Sequence, residues 1–256
     1  MHKSNLPIGV FDSGVGGVSV LRELVRLMPN ENYIYLGDSA HAPYGTKSHD
    51  EIFAHAVECA DYLVSKDIKA LVIACNTATS VCIDALRRKY PQIPVVGIEP
   101  ALKPAVKAKQ GSNVVVMATP LTLKETKFAK LCRDYEDEAN IIPLPCPGLM
   151  ELVEQGFTKG EKAELFLAEC FEDIDTMSVD AVVLGCTHYP FVRETVEKLM
   201  PNAHIFDGGE GTARQVKRLL EENGALSKDC DQGIVVFENT LGNDDINALA
   251  RKLLTF

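Results

Sequence analysis

Two stretches of this chain run an apolar segment into a thiol. In ALVIACNTATS (Ala70–Ser80) the run ends at Cys75, and Asn76 and Thr77 follow. In AVVLGCTHYP (Ala181–Pro190) it ends at Cys186, and Thr187 and His188 follow. A thiol where a strand gives way to a helix sits at the positive end of the helix dipole, which favours thiolate. One such cysteine suggests a nucleophile, which ordinarily needs a His base. Only Cys186 has an adjacent His. Two such cysteines in matching contexts suggest another reaction. A thiolate takes a proton from one face of a carbon while a thiol returns one to the opposite face, which inverts a stereocentre. Asn76, Thr77 and Thr187 would hold the carboxylate and ammonium of the reacting molecule. Disulfide chemistry between Cys75 and Cys186 competes with this reading, and a lone strand-end cysteine is ordinarily structural.

Other polar clusters accompany the cysteines. FDSGVGG carries Asp12 and Ser13 between a strand and a helix, where glycines permit a tight turn and a helix N-terminus attracts anions. It lacks the G-x-G-x-x-G spacing and the Lys of a phosphate loop, so it reads equally as a turn with Asp12 and Ser13 as caps. GDSAHAPYG places Pro43, Tyr44 and Gly45 in a loop after the second strand, either as turn chemistry or as a substrate-facing loop. Glu154 lies on a helical stretch, CPGLMELVEQG, where a solvated face is the plain alternative. His188 stands near enough to Cys186 to orient its proton. Asp12 would do the same for Cys75 if the first and third strands are neighbours.

These residues need elements to hold them. Short Val- and Ile-rich runs, among them IGVF (8–11), ALVIA (70–74), NVVVMA (113–118), AVVLG (181–185) and GIVVF (233–237), alternate with helical patterns. That alternation predicts an α/β fold of βαβ units with mostly parallel sheets. DIKALVIACNTA is echoed by SVDAVVLGCTHY, and PIGVFDSG by NVVVMATPLT, at nearly the same separation along the chain. Two matched pairs at one lag predict two pseudo-symmetric α/β domains whose strand ends face a central cleft. The 256 residues carry a net charge of -10 with no concentrated basic stripe, which argues against a nucleic-acid partner. No run has the length of a membrane span, and the first residues lack the apolar core of a signal peptide. The expectation is a cytoplasmic protein with no membrane association. Eight cysteines without a C-x-x-C pair give no metal-ligand spacing.

In this order and spacing, FDSGVGG, GDSAHAPYG, ACNTATS and GCTHYP resemble the cofactor-independent glutamate racemases of bacterial cell-wall synthesis. The resemblance spans essentially the whole chain. It implies two α/β domains, residues 1–97 with 208–256 and residues 98–207, and a two-base reaction on glutamate without metal or other cofactor. By the same resemblance Cys75 deprotonates D-glutamate and Cys186 deprotonates L-glutamate, assisted by Asp12, His188 and Glu154. Asp12, Ser13, Pro43, Tyr44, Gly45, Asn76, Thr77, Thr119, Thr122, Thr187 and His188 match substrate-binding positions. A homodimer is also implied, as is a short N-terminus without the extension of members activated by a UDP-muramyl precursor. Ala118, Glu125, Phe128, Glu151 and the ENTLGN stretch depart from the pattern, and none touches the cysteines. Aspartate racemase is the nearest alternative. It resembles the chain less, because its motifs put His after the first CNT and an acidic residue after the second GCT, where this chain has Ala78 and His188.

Overall fold

The computed structural model describes residues 3–255. The chain forms two compact units: residues up to Glu99 together with those from Gly209 onward, and Pro100–Gly208.

In the first unit β1 (Ile8–Asp12), α1 (Val18–Leu27), β2 (Tyr33–Gly37), α2 (His49–Val64), β3 (Ala70–Ile73), α3 (Asn76–Lys89) and β4 (Val95–Gly97) alternate. In the second, α4 (Leu102–Ala108), β5 (Asn113–Ala118), α5 (Pro120–Lys124), α6 (Thr126–Arg133), β6 (Asn140–Pro145), α7 (Leu149–Glu154), α8 (Glu161–Cys170), β7 (Ala181–Leu184), α9 (Arg193–Leu199) and β8 (His204–Asp207) follow. The chain then returns to the first unit as α10 (Gly209–Glu222), β9 (Val235–Asn239) and α11 (Asp244–Leu254). All strand pairs are parallel. The central strands β1, β3 and β7 are buried along their whole length, as helix-covered parallel strands must be.

The sheet orders are β4-β3-β1-β2-β9 and β6-β5-β7-β8. Reversed, the second becomes β8-β7-β5-β6, which matches β4-β3-β1-β2 strand for strand. The sequence echo is therefore a repeat of topology, with β9 added at one edge. That last strand begins and ends two residues beyond the GIVVF run. Gly233 instead hugs the chain before β2, donating its N–H to Pro29 O at 2.8 Å, and pairing starts at Tyr33↔Val235. Polar Glu238 and Asn239 continue the strand because an edge needs only one covered face. β6 is the opposite case, an edge strand able to carry Pro143 and Pro145.

Phe128 is buried among Val114, Val116 and Val183 in the core of the second unit, so that departure from the family pattern is a packing choice. Ala118 is accommodated by Gly185, where any Cβ would lie 3.1 Å from that of Ala118 and 2.8 Å from Met117 O.

A buried ion pair ties the returning segment to the first unit. Lys69, 2% exposed, meets Glu31, 3% exposed, and donates to Ala225 O at 2.9 Å and Ser4 O at 2.6 Å. Glu31 accepts from Ser227 N–H at 2.7 Å. Removing one partner strands a charge away from water. Lys69→Met is expected to destabilise the first unit by about 3–5 kcal/mol, whereas Glu31→Leu with Lys69→Met should recover most of that. Urea midpoints of the three proteins check this. Equal midpoints for Lys69→Met and the parent would show that the pair is not needed.

Candidate active site

In the first unit the parallel pairing of β1 with β3 sets Phe11 against Ile73, so Asp12 and Cys75 leave the sheet at adjacent strand ends. Asp12 is fully buried, and its carboxylate accepts Gly14 N–H at 3.0 Å. That bond is an Asx-type turn. It corrects the reading of Asp12 and Ser13 as helix caps: α1 starts later, with Gly17 as N-cap and no side-chain bond. Gly17 is needed for fit, since a Cβ there would lie 2.5 Å from Asp12 Cβ and 3.0 Å from Ala74 Cβ.

Cys75 is the N-cap of α3. Its Sγ accepts from Ala78 N–H at 3.4 Å and lies 3.5 Å from Ser13 Oγ. An N–H aimed at sulfur holds thiolate more strongly than thiol. Cys75, Ser13, Asn76 and Thr77 are all buried. Both the Oδ1 and Nδ2 atoms of Asn76 are buried without a hydrogen-bond partner in the protein. Native interiors rarely leave an amide so, because each unsatisfied group costs about 1–3 kcal/mol.

Tyr44 opens a short 3-10 turn, Tyr44–Thr46, after β2, flanked by Pro43 and Gly45. Its ring is buried beside Phe11, with centroids 6.2 Å apart, and its hydroxyl donates to Asp38 Oδ2 at 2.6 Å. Burial, then the Asp38 bond, pushes that phenol far above its ordinary range, so it stays protonated. The hydroxyl proton is committed to Asp38. Asp38 also accepts from Thr240 Oγ1 at 2.7 Å, while Ala40 N–H donates to Thr240 at 3.0 Å. The ENTLGN stretch thus braces this loop. Sequence reasoning missed Thr240 because its partner lies far away in the chain.

In the second unit β5 beside β7 repeats the arrangement. Thr119 caps α5, accepting Thr122 N–H at 3.2 Å, and the two hydroxyls lie 2.9 Å apart. Cys186 follows β7, and Cys186, Thr187 and His188 are all buried. His188 Nδ1 lies 3.9 Å from Cys186 Sγ, and its Nε2 lies 3.1 Å from Glu154 Oε1. Glu154 is the last residue of α7, with its side chain one-third exposed. In the tautomer that donates Nε2–H to Glu154, the Nδ1 lone pair faces sulfur. His188 in that tautomer can take the thiol proton, the nucleophile–base–orienter logic of acid–base sites. Glu154 is therefore bonded to His188 rather than being only a solvated face. All eight cysteines are thiols rather than disulfide partners.

Known proteins share this organisation. Residues 8–216 match the family model described as Asp/Glu/Hydantoin racemase. The chain is 49% identical over 254 residues to a glutamate racemase of Clostridium acetobutylicum, covering 99% of both chains. That decides the family. The chain belongs to the Asp/Glu/hydantoin racemases. Among solved structures, glutamate racemase from Thermus thermophilus in complex with β-chloro-D-alanine is 34% identical, with TM-score 0.83 over 99% of this chain and 94% of that one. The Francisella tularensis enzyme in complex with D-glutamate is 30% identical, with TM-score 0.86 over 99% and 95%. Among the described residues no helix of this family member is long and apolar enough to cross a membrane.

The unpartnered amide makes a test. Asn76→Ala removes a buried group that the fold itself does not pair. Its melting temperature is expected to equal or exceed the parent's, whereas an amide that held the fold together would cost about 1 kcal/mol or more on removal. Differential scanning calorimetry of both proteins decides.

Proposed function

We propose that the chain is a glutamate racemase in which Cys75 and Cys186 are the two bases of a 1,1-proton transfer. Cys75 takes the α-proton of D-glutamate and Cys186 that of L-glutamate. The opposite thiol then protonates the carbanion, so the thiolate and thiol exchange places with each turnover. The observation that carries the reading is the pair of strand-end thiols in topologically repeated units, each bordered by buried polar groups that suit an amino acid. Near-complete coverage of a glutamate racemase at 49% identity supports glutamate as substrate.

His188, held by Glu154, serves as the proton acceptor for Cys186 when that thiol must become thiolate. In the first unit Ser13 and the N–H of Ala78 hold Cys75, with Asp12 at the neighbouring strand end. Asn76, Thr77, Thr119, Thr122 and Thr187 supply hydroxyl and amide partners for the substrate, and the Pro43–Gly45 loop supplies backbone groups. The chemistry asks for no metal or other cofactor: a carbon acid, two thiols and directed hydrogen bonds are enough. The reading extends to a homodimer in the cytoplasm that supplies D-glutamate for peptidoglycan.

Cys75→Ser and Cys186→Ser are each expected to lower racemisation of glutamate by roughly 10²–10⁴-fold or more while remaining folded. The two variants should part company on β-chloroglutamate, where loss of HCl needs only the first proton abstraction. Cys75→Ser should still eliminate from the L enantiomer and Cys186→Ser from the D enantiomer. Optical rotation with aspartate in parallel completes the assay. Racemisation at the parent rate in either variant would remove the two-base assignment, and turnover of aspartate alone would remove glutamate as the substrate.

A further inference from the structure

Beside Tyr44 lies a second cluster of titratable groups. Asp38, 1% exposed at its side chain, lies with its Oδ1 2.8 Å from His41 Nδ1. His41 sits on the turn directly after Asp38, its N–H donating to Asp38 O at 3.1 Å. The His41 ring stacks on that of His55 from α2, with centroids 3.7 Å apart and planes 14° apart. One ligand-type atom from each of Asp38, His41 and His55 lies within 4.8 Å of the others. They line a cavity of about 300 Å³ that also includes Glu58 and Thr240.

The second observation is an orphaned nitrogen. His55 Nδ1 is buried and has no hydrogen-bond partner. Glu58, one turn further along α2, approaches it to 3.9 Å, and its side chain is 76% exposed and able to swing. A buried imidazole nitrogen without a donor or acceptor is a cost the fold does not need for packing, since a Leu or Phe would fill the same volume.

We propose that Asp38, His41 and His55 form a binding site for Zn²⁺, with the carboxylate of Glu58 closing the fourth position. The donor set is two imidazoles and two carboxylates, which suits zinc and disfavours the hard cations Mg²⁺ and Ca²⁺. Tetrahedral zinc with ligands at roughly 2.0–2.2 Å puts donor atoms about 3.3–3.6 Å apart. From the present spacing the Asp38–His41 pair, at 2.8 Å, must open slightly, the wider spacings, all within 4.8 Å, must close, and one stacked ring must tilt. The His41 side chain, 38% exposed on a turn, and the Glu58 side chain supply that freedom. Asp38 can ligate through one oxygen and keep the hydroxyls of Tyr44 and Thr240 on its remaining lone pairs. Binding would therefore stiffen the loop that precedes Tyr44. The site stands whether or not the racemase reading holds.

The test is calorimetric titration of chelator-dialysed protein with ZnCl₂ under a non-thiol reductant, with excess Mg²⁺ present throughout. The expected result is one zinc event per chain that weakens at least about tenfold in His41→Ala and in His55→Ala. His55→Gln serves as a second variant should His55→Ala lose its circular dichroism. The same event should persist in Cys75→Ser and Cys186→Ser. No zinc event in the parent, an event unchanged in the His variants, or one lost only with the thiols would overturn the proposal.

Discussion

Parallel pairing of neighbouring strands is the constraint on which everything else depends. Because β1 and β3 run side by side and end together, a buried carboxylate, a hydroxyl and a thiol emerge within one small region. The same holds for β5 and β7, where Met117 stands opposite Leu184 and Thr119 and Cys186 each come two residues later. A parallel sheet must have helices leaving each strand end, so Cys75 is handed directly to α3 and Cys186, after Thr187 and His188, to the 3-10 turn Tyr189–Val192. Small residues at those ends are the condition for this closeness. Gly17 and Gly185 sit where a methyl group would strike the neighbouring strand's end.

The two thiols are alike in topology and unlike in surroundings. Cys186 faces an imidazole backed by a carboxylate, whereas Cys75 faces a hydroxyl and a backbone N–H. An enzyme that interconverts enantiomers must run equally far in both directions, because the two have equal free energy. Its bases need not be matched by identical neighbours. They need only be matched in how readily each gives and takes a proton in the presence of substrate. In the proposed two-thiol reaction the repeat supplies the geometry, and divergent side chains supply the tuning.

Much of this was legible in the sequence because the signals are local. A strand ending in Cys followed by small polar residues, twice, marks both thiols, and the paired echoes mark the repeated topology. What was not legible depends on partners distant in the chain. Thr240 reaches Asp38, and Lys69 reaches Glu31 and Ala225, through folding alone. The Tyr44 hydroxyl could not be known to be committed to Asp38, nor Glu154 to be bonded to His188. The cap reading of Asp12 failed because Asp offers its carboxylate to an N–H two residues on as readily as to a helix start. β9 ran past its apolar core because register with β2, not hydrophobicity, set its length.

The most direct test of a two-thiol reaction is isotopic. L-glutamate is incubated with the reduced protein in D₂O and quenched at low conversion, and the α-position of each enantiomer is analysed separately. Two bases predict that newly formed D-glutamate carries deuterium while unreacted L-glutamate keeps its proton. Product that retains the original α-proton would mean that one group removes and returns it, and the paired-cysteine account would be wrong.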